Sequence, residues 1–206
     1  IEIVCKRSCA RNVFKRFQNL VRPSRPMMTW RRAHALLHRQ IATARPLAVV
    51  ERRCGPLLVD SILITEYIPH AHDLDTLLTV VMRELPAAEA FRLKRQVSNA
   101  LAAVVRRLLE RGFVHRDFKA PNIIVQWDRR SPPRILLIDL DGLRRSRRRA
   151  RAGIRMLMRL NVSLDHCRRV TRTDRLRFLL RYLQRIGPLA GDWKEIWREV
   201  ERVSER

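Results

Sequence analysis

Residues His115-Arg116-Asp117-Phe118-Lys119-Ala120-Pro121-Asn122 constrain this chain more than any other stretch. They read H-R-D-x-K-x-x-N, and an apolar run, Ile123-Ile124-Val125, follows at once. Downstream, a second apolar run, Ile135-Leu136-Leu137-Ile138, ends in Asp139. A loop carrying Asp and Asn, followed by a hairpin whose second strand ends in Asp, is the base-and-metal apparatus of phosphoryl transfer from ATP. A carboxylate takes the acceptor hydroxyl's proton. An amide oxygen and a second carboxylate hold Mg²⁺ against the triphosphate, where charge must be neutralised.

The chain has 206 residues, enough for one domain with a real core. Hydrophobic residues make up 46%, which excludes a disordered tail. No apolar stretch approaches the roughly 18 residues of a membrane span. The first residues, Ile1-Glu2-Ile3-Val4, read as a strand rather than a cleavable signal, and no Met precedes them, so the chain is expected to begin inside a larger protein. Net charge is +24, which favours an anionic partner such as a phosphorylated glycolipid or an acidic membrane face. A general arginine bias accounts for part of it. Cys5, Cys9, Cys54 and Cys167 lack the spacing of a zinc site and read as reduced thiols.

The order of elements is strands, then helices, then a hairpin, then helices. Residues 1–7 read as a strand carrying Lys6. Residues 27–40 read as a helix with Pro26 near its start. Strands are expected at 47–50 and 57–67, with Gly55 in the turn. Asp73 is a candidate cap for a short helix through Met82. Val97, Ala100, Leu101, Val104, Val105, Leu108 and Leu109 recur at helical spacing, with Gly112 as the left-handed cap. The hairpin strands are 123–127 and 134–139, and further helices are expected at 152–160, 172–186 and 191–204. The pattern is α+β, a small sheet lobe with a helical lobe.

These residues, taken in order, resemble the protein-kinase-like fold, and within it the lipopolysaccharide kinases, the Kdo kinase and WaaP heptose kinase group. Trp30 to Leu37 followed by Thr43-Ala44-Arg45-Pro46-Leu47-Ala48-Val49 is similar to one family pattern. So are Leu63-Ile64-Thr65-Glu66-Tyr67-Ile68-Pro69 and Ile138-Asp139-Leu140-Asp141-Gly142-Leu143, with Asp174-Arg175 and Arg177-Phe178-Leu179 beyond. The resemblance implies a single domain over 1–206, with a partial N-terminal lobe at 1–68 and a C-terminal lobe at 69–206. The glycine-rich phosphate lid would precede Lys6, so the N-terminal lobe is read as truncated.

The resemblance also implies roles. Asp117 is the candidate general base. Asn122 and Asp139 are the candidate magnesium ligands, with Asp141 a competitor for the role of Asp139. Lys119 would neutralise charge on the transferring phosphate. Lys6 would bind the α- and β-phosphates, and Glu66 to Ile68 would form the hinge whose backbone binds adenine. One discrepancy stands out. From Arg7 to Val50 there is no Asp or Glu, so helix 27–40 lacks the carboxylate that ordinarily pairs with the strand lysine, and Thr29 stands at its place.

The remaining features are secondary. Arg144, Arg145, Arg147, Arg148, Arg149 and Arg151 would face an anionic acceptor or membrane, or form a solvated basic stretch. Asp174 would cap a helix or bond the catalytic loop, and Trp193 and Trp197 read as core contacts. The expected activity is ATP- and Mg²⁺-dependent phosphorylation of a sugar hydroxyl on lipopolysaccharide inner core or a related glycan. The expected setting is the cytoplasm, with peripheral contact at the inner face of the inner membrane. A protein serine/threonine kinase and a pseudokinase scaffold are the alternatives. A nucleic-acid partner is disfavoured, because no stacking set accompanies the charge.

Overall fold

A computed structural model describes residues 2–9, 23–147, 149–183, 194, 197 and 198. The chain divides into two compact units, one formed by Ile1–Pro69 with Asp139–Asp141, the other by His70–Ile138 with Gly142–Arg206.

The first unit is built on an antiparallel sheet of order β1-β3-β2, with β1 at Ile3–Cys9, β2 at Pro46–Cys54 and β3 at Leu57–Glu66. Lys6 pairs in register with Leu63. Gly55, at φ 55°, makes the hairpin turn between β2 and β3, a backbone conformation that disfavours a side chain. Asp60 is nearly buried on β3 and binds Arg7 at 2.6 Å. Helix α1, Arg25–Leu37, begins two residues earlier than its apolar pattern suggests, because the Ser24 hydroxyl accepts the Met27 N–H and starts the first turn. Pro26, Ala33 and Leu36 form its buried face.

The second unit is mostly helical. Strand β4, Ala71–Asp73, pairs with β6, Ile123–Gln126, which pairs with β7, Arg134–Leu137. A separate ladder joins β5, Phe113–His115, to β8, Leu143–Arg145. Asp73 caps α2, Leu74–Thr79, by accepting the Thr76 N–H at 3.0 Å. The expected run to Met82 breaks at Val80, and a short 3₁₀ turn follows. Thr79 and two valines are poor helix formers, and the Thr79 hydroxyl bonds back to the Asp75 carbonyl.

Helix α3, Ala87–Glu110, spans 24 residues and is the spine of this unit. Leu93, Val97, Leu101, Val105 and Leu108 line its buried face at three- and four-residue steps. Its first ten residues escaped the periodicity because Arg92, Lys94 and Arg95 crowd the single Leu93. Gly112 follows at φ 75°, the expected left-handed cap. Helices α4, Arg149–Ser163, and α5, Arg172–Leu183, complete the core with Met156, Leu160 and Leu179. The helix expected at 191–204, Trp193 included, lies largely outside the described residues. Cys5, Cys54 and Cys167 are free thiols. Among the described residues no helix is long and apolar enough to cross a membrane.

Asp174 does not bond the catalytic loop. It forms a reciprocal cap at the start of α5: its carboxylate accepts the Thr171 N–H at 3.0 Å, and the Thr171 hydroxyl accepts the Asp174 N–H at 3.2 Å. Lys94 of α3 adds a 2.6 Å ion pair. Burial raises the Asp174 pKa, but the bonds from Lys94 and Thr171 together outweigh it and hold the carboxyl below its usual value. A depressed folded-state pKa contributes stability above the unfolded value, about 3.9, that is lost as pH falls through the folded value. Asp174→Asn is therefore expected to lower the urea midpoint at pH 7, with the gap from wild type narrowing below about pH 4.

Candidate active site

The catalytic loop joins β5 to β6 in the second unit, and its residues alternate in burial. His115 and Phe118 are each 1% exposed and pack edge to face at 6.2 Å. Ala120 is fully buried, and its N–H donates to the Ser163 hydroxyl of α4 at 2.9 Å. These anchors leave Asp117 and Lys119 half exposed, with side chains 48% and 44% accessible.

The polar groups are held as a set. The Asn122 amide nitrogen donates to the Asp117 backbone carbonyl at 2.9 Å and to its carboxylate Oδ2 at 3.1 Å. The Lys119 ammonium lies 3.1 Å from the same oxygen. The hydrogen bond from Lys119 depresses the Asp117 pKa; burial opposes it, and the Lys119 charge and the Asn122 amide add to the lowering. The carboxylate therefore stays ionised to lower pH than an ordinary aspartate, as a proton acceptor requires. Because its nitrogen faces Asp117, the Asn122 side chain turns its oxygen the other way.

Ile138 and Gly142 flank the Asp139–Asp141 turn in the chain, and both are tied to the loop. The Ile138 N–H donates to the Asn122 carbonyl at 3.0 Å, and the Arg116 N–H donates to the Gly142 carbonyl at 2.8 Å. A Cβ on residue 142 would stand 3.0 Å from the Asp117 nitrogen and 3.3 Å from that of Arg116. Backbone cannot step aside as easily as a side chain can, so the approach favours glycine.

In the first unit, the Lys6 ammonium binds Asp139 Oδ1 at 2.8 Å. The lysine without a helix carboxylate thus has a partner. Strand β7 stops at Leu137, so Asp139 lies beyond the strand rather than at its end. It takes φ 51°, a left-handed conformation that aspartate tolerates better than most residues. A 3₁₀ turn over Leu140–Gly142 follows. Asp139 and Asp141, which would share a face on a continued strand, do not share one here, and the two carboxylates have different partners. Asp141 accepts the Thr29 hydroxyl at 2.7 Å, while Arg32 donates to the Leu140 and Asp141 carbonyls at 3.2 and 3.1 Å.

Along the hinge stretch, the Glu66 carboxylate accepts the Arg45 N–H, and the Tyr67 N–H donates to the Glu2 carbonyl. The Ile68 backbone makes no hydrogen bond among the described residues. Of the basic run, Arg144, Arg145, Arg147, Arg149 and Arg151 are exposed; Arg145 lies over the Phe113 ring and Arg149 donates to the Glu110 carbonyl. Arg148 lies outside the described residues.

The donor chemistry fits magnesium. Asn122 offers an amide oxygen and Asp139 a carboxylate, both hard ligands. Among the described residues no three His, Cys, Asp or Glu cluster as a transition metal would prefer. Sequence reasoning missed Arg32, Ser163 and Gly142. Only Gly142 left a signal, as a glycine directly after the paired aspartates.

Gly142→Ala is expected to break the Arg116–Gly142 hydrogen bond and cost roughly 1–3 kcal/mol as an overpacked site. The denaturant midpoint measures the cost, and the amide shift of Asp117 reports the displaced loop.

Two comparisons place this geometry among known proteins. The model of the lipopolysaccharide kinase (Kdo/WaaP) family matches residues 8–182. The solved structure of WaaP in complex with acyl carrier protein superposes with a TM-score of 0.66 at 26% identity, over 91% of this chain and 76% of that one. No curated protein sequence matches. The chain belongs to the lipopolysaccharide kinase (Kdo/WaaP) family, an enzyme of the phosphotransferase class with the protein-kinase-like fold.

Proposed function

We propose that the chain transfers the γ-phosphate of ATP to a sugar hydroxyl of lipopolysaccharide inner core or a related glycan. The observation that carries this is the ionised, half-exposed Asp117 carboxylate, held at one oxygen by both Asn122 and Lys119. Asp117 takes the acceptor proton as the new O–P bond forms and the bond from the γ-phosphorus to the β-phosphate oxygen breaks, releasing ADP. Lys119, beside it, stabilises negative charge on the transferring phosphate. Asn122 and Asp139 would hold Mg²⁺, which when bound neutralises the charge moving onto the phosphate oxygens.

Lys6 and Asp139 pair here with side chains 63% and 36% exposed. Exposed pairs of this kind are worth about 0.2–1 kcal/mol. Exchanging the pair for a lysine–phosphate contact and an aspartate–metal contact is therefore cheap. The Ile68 backbone is suited to the adenine edge, and the exposed arginines after Leu143 to an anionic acceptor. The whole of 1–206 acts as one kinase domain in this reading, working at the cytoplasmic face of an anionic membrane.

The test is radiolabelled phosphate transfer from Mg–ATP to Kdo-lipid A, heptosylated core and a generic basic protein. Transfer to a glycolipid is expected, with Asp117→Asn losing about 10²–10⁴-fold in rate while still binding ATP. Transfer to the protein alone would favour a serine/threonine kinase. ATP binding without transfer to any acceptor would favour a scaffold.

A second partner has its own observation. An apolar cavity of about 100 Å³ opens in the second unit, lined by Leu78, Val97, Leu101, Leu157, Phe178 and Trp197 among others. Its lining suits the end of an acyl chain, and WaaP was solved with an acyl carrier protein. We propose acylated carrier protein as a ligand of this chain. A complex that survives gel filtration with acylated but not unacylated carrier is expected; equal retention of both would leave the cavity without that role.

A further inference from the structure

The helix that lacks a carboxylate makes a different connection. Thr29 and Arg32 are three residues apart on α1 and so lie on one face. Both are donors, and both reach the turn that follows Asp139. The Thr29 hydroxyl donates to Asp141 Oδ1 at 2.7 Å. Arg32 Nη1 donates to the Leu140 and Asp141 carbonyls and lies 4.0 Å from Asp141 Oδ1. Leu140, between the two carboxylates, is 2% exposed, so the turn is anchored by packing as well.

The polarity of the usual arrangement is reversed. Instead of a helix carboxylate binding the strand lysine, the helix supplies donors and the turn supplies acceptors. Lys6 is then left to Asp139 itself. We propose that Asp141 is a positioning residue, tethered by Thr29 and Arg32 so that α1 holds Asp139 in its left-handed conformation for metal binding. The role rests on the kinase reading above, and it assigns Asp141 to the helix rather than to the metal. Asp141 Oδ1 is already engaged by a hydroxyl, and a charged Arg32 nearby opposes a second cation.

Two measurements on the full chain test this: hydrogen–deuterium exchange over 138–143, and the Mg²⁺ dependence of ATP binding by calorimetry. Thr29→Val keeps the shape and removes the donor. Asp141→Ala removes the acceptor, whereas Asp141→Asn keeps an oxygen that the Thr29 hydroxyl can reach. Thr29→Val and Asp141→Ala are expected to speed exchange over 138–143 and to raise the Mg²⁺ half-saturation by roughly 10-fold, as loss of an outer-shell partner does. Thr29→Ser and Asp141→Asn are expected to stay within a few-fold of wild type. Asp141→Asn as impaired as Asp141→Ala would make Asp141 a metal ligand and overturn the proposal. So would a Thr29→Val that exchanges and binds like wild type. A wild-type chain that binds no Mg–ATP removes the kinase reading, and this role for Asp141 with it; that result is read without any variant.

Discussion

The hydrogen bond from the Arg116 N–H to the Gly142 carbonyl is the constraint on which the catalytic loop depends. It brings two backbones so close that a single Cβ would crowd the Asp117 nitrogen at 3.0 Å. The same approach continues the β5–β8 ladder, in which His115 pairs with Leu143. Phe118 and His115 fill the space beneath, and Asp117 can then project outward only as far as Asn122 and Lys119 allow. The Asp117 carboxylate is thus positioned by main-chain geometry and apolar packing, and the hydrogen bond from Lys119 is the largest of the influences that keep it ionised.

Acidic groups are scarce in a chain of net charge +24, and the structure uses them sparingly. Asp60 binds Arg7 within the first sheet. Asp139 binds Lys6, Asp141 binds the donors of α1, and Asp174 binds Lys94 while capping α5. Each is an acceptor placed among an excess of donors, so few carboxylates can organise a large part of the fold. Among the described residues no arginine is buried, so these guanidinium groups remain hydrated and open to an anionic ligand.

Much of the site was legible in the primary structure because phosphoryl transfer demands particular residue types at short spacing. Asp117, Lys119 and Asn122 fall within one loop, so their meeting follows from local geometry. The cap roles of Asp73 and Gly112 were readable for the same reason. Errors came where local pattern met a longer-range demand. Strand β7 ends two residues early: Ile138 still bonds Asn122 in register, but the chain turns left-handed at Asp139. That turn separates two aspartates that a continued strand would place on one face. Helix α3 begins ten residues before its clean periodicity, since burial of Leu93 does not require a continuous apolar stripe.

The sequence by itself determined which groups meet in the loop: an aspartate, a lysine and an asparagine at short spacing, with a hairpin following them and an acid-free stretch from Arg7 to Val50. It also determined that α1 could not pair with Lys6 through a carboxylate. Only the tertiary structure decided what happens instead. Lys6 and Asp139 are far apart in the chain, as are Thr29 and Asp141. No local propensity links such residues. Their pairing is made only in the fold, where residues 139–141 join the first unit and their acceptors meet the donors of β1 and α1.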